Sequence, residues 1–464
     1  MRKVNMNKII ACILLLVTFI LSSCTPGTAE PVPTATTTLT AVPSAILPPT
    51  VTATRVTYLP GLSTSVPEPD AAFIRLVVNE HYLSVMGLTR EQVVLTYKEH
   101  TGIDGLQYAV MVDDVSGVPL AVYTQGEWQE ATLKFFGKQN GIIMGSDTRG
   151  TPEDIVWQKT LATQFSRATI EPGIDWYASE PVRGQIDPES TKNIKDQIEI
   201  LKKDGITDLV GHPIIDNGGA PAWIQNGSFT LEELRSIMTD RIVQIISNNK
   251  EIDAWVVVNE PYLPASINPG RSKDPFYKVW GNYDYIYEAF QIARNEGKKE
   301  GRDLELIYND GDNHYADGQS SAITRKIVRK LKEQNLVDYV GMQMHIGEWE
   351  ANAFEKYMLP EMPAEFQYYK GLGVPILITE MTYYPSEEAR KLNKHEFNKR
   401  EALIFTETIK LLLASNDVEG ITFWGMTDFY IVKDNPDYTM FDEEGKPKLV
   451  FYEVMKTLYQ GIKD

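Results

Sequence analysis

From Ala131 onward, short apolar runs rich in β-branched residues alternate with longer amphipathic segments, and that alternation leaves few folds open to the chain. The runs lie at residues 141–147, 167–171, 208–215, 254–260, 304–310, 339–345, 375–380 and 420–424. Between them, stretches such as 194–203, 232–247, 283–297 and 323–334 carry the 3.6-residue periodicity of one-sided helices. Buried strands separated by helices are the mark of parallel βα units. Eight such units fit an α/β architecture closed into a (β/α)8 barrel better than an open sheet. The barrel is expected over residues 131–464.

Most of the runs begin apolar and finish on a polar or aromatic group: Glu171, His212, Asn259-Glu260, Asn309-Asp310, Gln343 and His345, Glu380, Trp424. Parallel strands put their C-terminal ends on one face, so these side chains should meet at the barrel mouth. A buried polar group is costly without a partner. Seven strands behaving alike therefore predict an active-site rim rather than isolated structural contacts. Two of them end in a glutamate, the fourth at Glu260 and the seventh at Glu380. Glycosidic cleavage uses such a pair, one carboxylic acid protonating the leaving oxygen and one carboxylate acting at the anomeric carbon. A separation of ~5 Å lets the second attack directly with retention, and ~6.5–9.5 Å admits water and inverts. The sequence leaves that choice open.

The segment before the barrel reads as an export and tethering apparatus. Arg2, Lys3 and Lys8 precede an apolar run over residues 9–21, which has signal-peptide length and is short for a spanning helix. Residues 21–24, Leu-Ser-Ser-Cys, resemble the lipobox of bacterial lipoproteins, so residues 1–23 are expected to be removed and Cys24 to be lipidated. The other cysteine, Cys12, leaves with the signal, so no disulfide is expected. Pro, Thr, Ala, Val and Ser dominate residues 24–69, which predicts an extended linker. Residues 70–130 read as a small accessory module: a helix over 89–100, then strands near 107–112 and 119–123, serving as a spacer or barrel cap rather than a carbohydrate-binding appendage. The protein is thus expected to be exported, either lipid-anchored at the cell surface or secreted, with the lipid anchor its sole link to a membrane.

Composition narrows the chemistry. A formal net charge of -18 argues against nucleic acid, whose phosphates would be repelled, but is indifferent to a neutral polysaccharide partner. Six histidines without an HExxH pair, and no GxSxG or GxxxxGK[ST] motif, argue against metalloenzyme, esterase and nucleotide chemistry. No cofactor and no metal are expected, and the acidic stretch Asp310, Asp312, Asp317 lacks EF-hand order and reads as a solvated loop. A monomer is expected.

At the motif level the barrel resembles glycoside hydrolase family 10, the endo-1,4-β-xylanase family. WVVVNEP at 255–261 is similar to the family's W-D-V-V-N-E, and ILITEM at 376–381 to its I-T-E-L. MQMH at 342–345 resembles L-Q-x-H, residues 211–212 match the start of G-H-T-L-V-W-H, ITFWGMTD at 421–428 resembles I-T-x-W-G-x-x-D, and FDEEGKPK at 441–448 the closing F-D-x-x-x-x-P-K. The resemblance implies a retaining endo-acting hydrolase with Glu260 as acid/base and Glu380 as nucleophile. It also implies Asn259 at a sugar 2-hydroxyl, His212 at the cleavage subsite, Gln343 and His345 supporting the nucleophile, Trp424 as a sugar platform, and a sugar contact at Glu171. The sequence departs from the family at Pro172, Asp175, Asp216, Asn217 and Val432, where asparagine, lysine, tryptophan, histidine and tryptophan would stand. Those changes touch sugar-binding positions, which leaves two other readings: a same-clan hydrolase of another β-glycan such as glucan or mannan, and a non-catalytic glycan-binding lipoprotein.

Overall fold

In a computed structural model the described residues are 66–149, 154–216, 218–261, 274–428 and 439–462. The signal, Cys24, nearly all of the linker, Asn217 and Val432 lie outside them. Residues 66–130 open with two short helices, Ala71–Val77 and Glu80–Met86, whose first turns are capped by Asp70 and Asn79 side chains. A four-stranded antiparallel sheet follows: β1 Leu95–Thr101, β2 Gln107–Asp113, β3 Val118–Thr124 and β4 Glu127–Glu130.

The helix expected over 89–100 is not formed. Only Arg90–Gln92 makes a helical turn, and Leu95–Thr101 pairs in register with β2, from Leu95 opposite Asp113 to Thr101 opposite Gln107. Val93, Val94 and Thr96 are β-branched, and the pairing buries Leu95, Thr96 and Tyr97, which a lone amphipathic helix could not do. The module packs against the chain's closing helix, Leu449–Gln460: Tyr82 of the second short helix meets Tyr452 edge-on at 5.3 Å, and on β1 His100 Nε2 lies 3.3 Å from the Tyr459 hydroxyl.

The barrel strands are β5 Ile143–Asp147, β6 Arg167–Ile170, β7 Asp208–Gly211, β9 Ala254–Asn259, β10 Glu305–Asp310, β11 Tyr339–Met342, β13 Ile376–Tyr384 and β14 Val418–Phe423. Each pairs in parallel with the next; β14 pairs with β5, and β9 with β10, so the ring closes. All eight apolar runs thus become strands of one (β/α)8 barrel. Two short strands at the mouth, β8 Ile215–Asp216 and β12 His345–Gly347, extend the pairing of β9 and β13. That is why the seventh strand runs on to Tyr384 instead of stopping at Glu380.

Alternation sorts the side chains. Val210, Ala254, Val256, Ile307 and Leu377 form a separate cluster, as residues filling the inside of a barrel would, while Trp255 and Val257 join the larger core under the helices. The helices start where side chains supply caps. Thr230 and Glu233 form a reciprocal capping box ahead of Leu231–Asn248, and Asp187 with Pro188 opens Pro188–Lys203. Among the described residues no helix is long and apolar enough to cross a membrane.

Candidate active site

Both glutamates reach the mouth by local backbone devices. Glu260 follows the last residue of β9 with φ of +47°, a left-handed conformation uncommon for a non-glycine residue and further disfavoured ahead of Pro261. Its amide donates to the Asn309 carbonyl at 3.1 Å, which holds the turn against β10. Strain of this kind persists where the surroundings over-determine it, commonly at functional sites. Met344, buried with φ of +61°, plays a similar part between β11 and β12. It separates Gln343 from His345, while the Glu380 amide donates to the Gln343 carbonyl at 3.0 Å.

The Glu380 carboxylate is buried and fully engaged. Oε1 accepts from His212 Nε2 at 3.1 Å and from Asn309 Nδ2 at 2.8 Å, and Oε2 from His345 Nε2 at 3.0 Å. Burial by itself would favour the neutral acid. The hydrogen bonds and charges of His212 and His345 overcome it and hold Glu380 well below the usual carboxylate range. His212 responds in the opposite sense: burial opposes its charging, yet the bond to Glu380 and the acidic surroundings push it up to about 9.

Glu260 is half-buried, and its Oε1 accepts from Gln343 Nε2 at 2.8 Å. Gln343 Nε2 also lies 3.3 Å from Asn259 Oδ1, which accepts a second bond from Asn309 Nδ2 at 2.9 Å. Asn309 Oδ1 in turn accepts from Thr379 at 2.6 Å. An unbroken chain of hydrogen bonds, Glu260–Gln343–Asn259–Asn309–Glu380, therefore couples the two carboxylates. One is held as an anion and the other is within reach of solvent, a division suited to a nucleophile and a proton donor.

Beside this pair stands an acidic wall. Arg149, two residues beyond β5, lies 2.9 Å from Glu171 and 3.2 Å from Asp147, and its guanidinium sits 4.4 Å over the Trp424 ring. Burial, opposed by Arg149, pushes Asp147 up to about 6. Burial and the charge of Glu171 push Asp175 up to about 7, while burial and Glu260 push Asp216 to about 6.

The structure brings Glu260, Glu380, Asn259, His212, Gln343 and His345 into one hydrogen-bonded cluster. Glu171 stands outside that cluster, paired with Arg149, and Trp424 is only 6% exposed, with Arg149 against its ring and His212 edge-on at 5.1 Å. The loop after β10 is not the solvated stretch expected. Asp310 is fully buried, accepting from the Gly311 amide at 2.9 Å, and Asn313 and His314 are buried with it; of the three aspartates Asp317 alone is exposed. Among the described residues no group of His, Cys, Asp or Glu is arranged to hold a metal. Sequence reading placed Asn309 on the rim, at the end of a barrel strand, but gave it no role in the site. Arg149 and Thr379 carried no such signal.

A family model for glycosyl hydrolase family 10 matches residues 132–457, most of the chain and the whole barrel. The chain belongs to that family. It is therefore a glycosidase, and the motif resemblance noted above extends over the full domain. Similar proteins include a β-1,4-xylanase of Dictyoglomus thermophilum, 26% identical over 315 residues, which are 65% of this chain and 84% of that one. An endo-1,4-β-xylanase B of Thermotoga neapolitana is 23% identical over 333 residues, 70% of this chain and 89% of the relative. Among solved structures, xylanase 10B of Thermotoga petrophila RKU-1 in complex with xylobiose superposes with a TM-score of 0.63 at 24% identity, covering 73% of this chain and 100% of that one. That likeness establishes the shared barrel.

Proposed function

We propose that the protein is an exported endo-acting hydrolase of β-1,4-linked, xylan-type polysaccharide working by double displacement with retention. The observation that carries this reading is the buried, triply bonded Glu380 carboxylate joined through Asn309, Asn259 and Gln343 to Glu260. Glu380 attacks the anomeric carbon while Glu260 gives its proton to the departing glycosidic oxygen. The C–O bond to the leaving sugar breaks, and a covalent glycosyl ester forms on Glu380. Esterification removes the charge of Glu380. Glu260, now ionised, takes a proton from water, and that water's oxygen displaces the ester. Two inversions leave the starting configuration. The relatives named as xylanases support xylan as the substrate, and both carboxylates argue against a pure glycan binder, which needs no nucleophile. Export with Cys24 acylated, the linker acting as tether, and action as a monomer belong to the same proposal.

Replacing Glu380 by alanine tests it. Turnover of xylan should be abolished, and added azide should restore part of it with the product inverted, because the small anion enters the vacated space. Undiminished hydrolysis by Glu380→Ala would refute the assignment. Reducing-sugar release from xylan, glucan and mannan by the unaltered protein tests the substrate.

A further inference from the structure

Among the described residues four aromatic side chains are exposed: Tyr177, Trp349, Tyr357 and Tyr384. All four lie at the mouth end of the barrel strands, Tyr177 after β6, Trp349 and Tyr357 after β12, and Tyr384 at the end of β13. Exposed aromatic surface is unfavourable in water and scatters when it has no use; confinement to the substrate-facing end points to a ligand.

Trp349 and Tyr357 are the most organised of the four. Trp349 is 59% exposed and Tyr357 46%. Their rings stack at 5.6 Å with an angle of 24° between planes, so Tyr357 backs one face of the indole and leaves the other to solvent. The loop that carries them is anchored. Glu348 is buried, donates its amide to the Tyr384 carbonyl at 2.9 Å and accepts from the Tyr383 hydroxyl at 2.7 Å. Arg400 joins Glu348 to Glu355, Phe354 and Met358 are buried beneath the loop, and the Tyr357 hydroxyl donates to Glu350 at 3.1 Å. The segment Phe354–Met358 is a π-helical turn, a rare feature that is frequent at functional sites. Two exposed rings on so rigid a base form a pre-built surface.

The platform is continuous with the chemistry. His345, which bonds Glu380, stands four residues before Trp349 and lies against the Tyr384 ring at 5.6 Å. At ~3.3 Å per residue the Cα of Trp349 lies within ~13 Å of the Cα of His345, a span of a few sugar rings along a chain. A β-linked pyranose presents C–H bonds on its faces and hydroxyls on its rim, so a flat apolar ring with polar neighbours suits it. We propose that Trp349, backed by Tyr357, is a sugar-binding platform outside the cleavage site that holds a further unit of the β-linked glycan chain. The proposal rests on the glycosidase reading above.

The test compares kcat/KM of the unaltered protein, Trp349→Ala, Tyr357→Ala and Trp349→Phe on an aryl xylobioside and on long xylo-oligosaccharides. Trp349→Ala should lose about tenfold more on the long chain than on the short substrate, the worth of one aromatic stacking contact. Trp349→Phe should regain most of that difference, and Tyr357→Ala should lie between. Equal losses on both substrates would overturn the platform. If the unaltered protein cleaves none of the glycans, the glycosidase reading falls, and the platform is judged by retardation in native gels containing soluble xylan, glucan or mannan. Slower migration of the unaltered protein than of Trp349→Ala in any of these supports it, and identical migration in all overturns it.

Discussion

Replacing Asn309 by alanine isolates the coupling between the two carboxylates. Asn309 is fully buried and touches four parts of the site: Glu380 Oε1 at 2.8 Å, Asn259 Oδ1 at 2.9 Å, Thr379 Oγ1 at 2.6 Å and, through its carbonyl, the Glu260 amide at 3.1 Å. Alanine keeps the last contact and removes the other three. The bond to Glu380 is charge-assisted and contributes about 2 kcal/mol. Its loss should raise the apparent pKa of Glu380 and, by weakening the hold on the reacting carboxylate, lower kcat/KM about thirtyfold. Stripping partners from Thr379 and Asn259 costs stability as well, on the order of 1–3 kcal/mol. The assay is the pH profile of kcat/KM on a xylo-oligosaccharide, with thermal unfolding followed in parallel. A structural defect alone would lower the melting temperature and leave the acid limb in place. Asn309→Asp, which keeps the acceptor for Thr379 but turns an oxygen toward Glu380, should be worse than alanine in activity. An acid limb unmoved by Asn309→Ala, with kcat/KM within about twofold of the unaltered protein, would refute the argument.

Asp175 predicts a pH effect on stability. Its folded-state pKa lies above its unfolded value, so the native protein holds this proton more tightly and stability falls as pH rises from about 4 toward 7. Asp175→Asn should therefore be more stable than the unaltered protein at pH 8, by a few kcal/mol at about 1.4 kcal/mol per pKa unit, with the gap closing toward pH 4; an equal gap in thermal unfolding at both ends would contradict this. Cys24→Ser should release a protein that is otherwise found with membranes, and mass measurement of the mature N-terminus should lose the increment of the acyl chains; unchanged membrane association would remove the anchor.

What local order dictates was legible in the amino-acid string. A period of apolar runs specifies strands and helices through nearest neighbours, and parallel strands share one direction, so Glu260 and Glu380 at run ends had to emerge on one face. The same logic failed at residues 89–100, where helical periodicity yielded to pairing with β2, a partner that no local pattern names. It failed also around Asp310, which looked like part of a solvated loop and is buried. Tertiary structure alone decided how Glu380 is charged, because its donors His212, Asn309 and His345 lie 168, 71 and 35 positions away. It decided too that Arg149 covers Trp424 and that Trp349 stands open beside Tyr357. Hydrogen bonds and ring contacts act over a few ångströms, and closing the barrel is what brings such distant residues within that range.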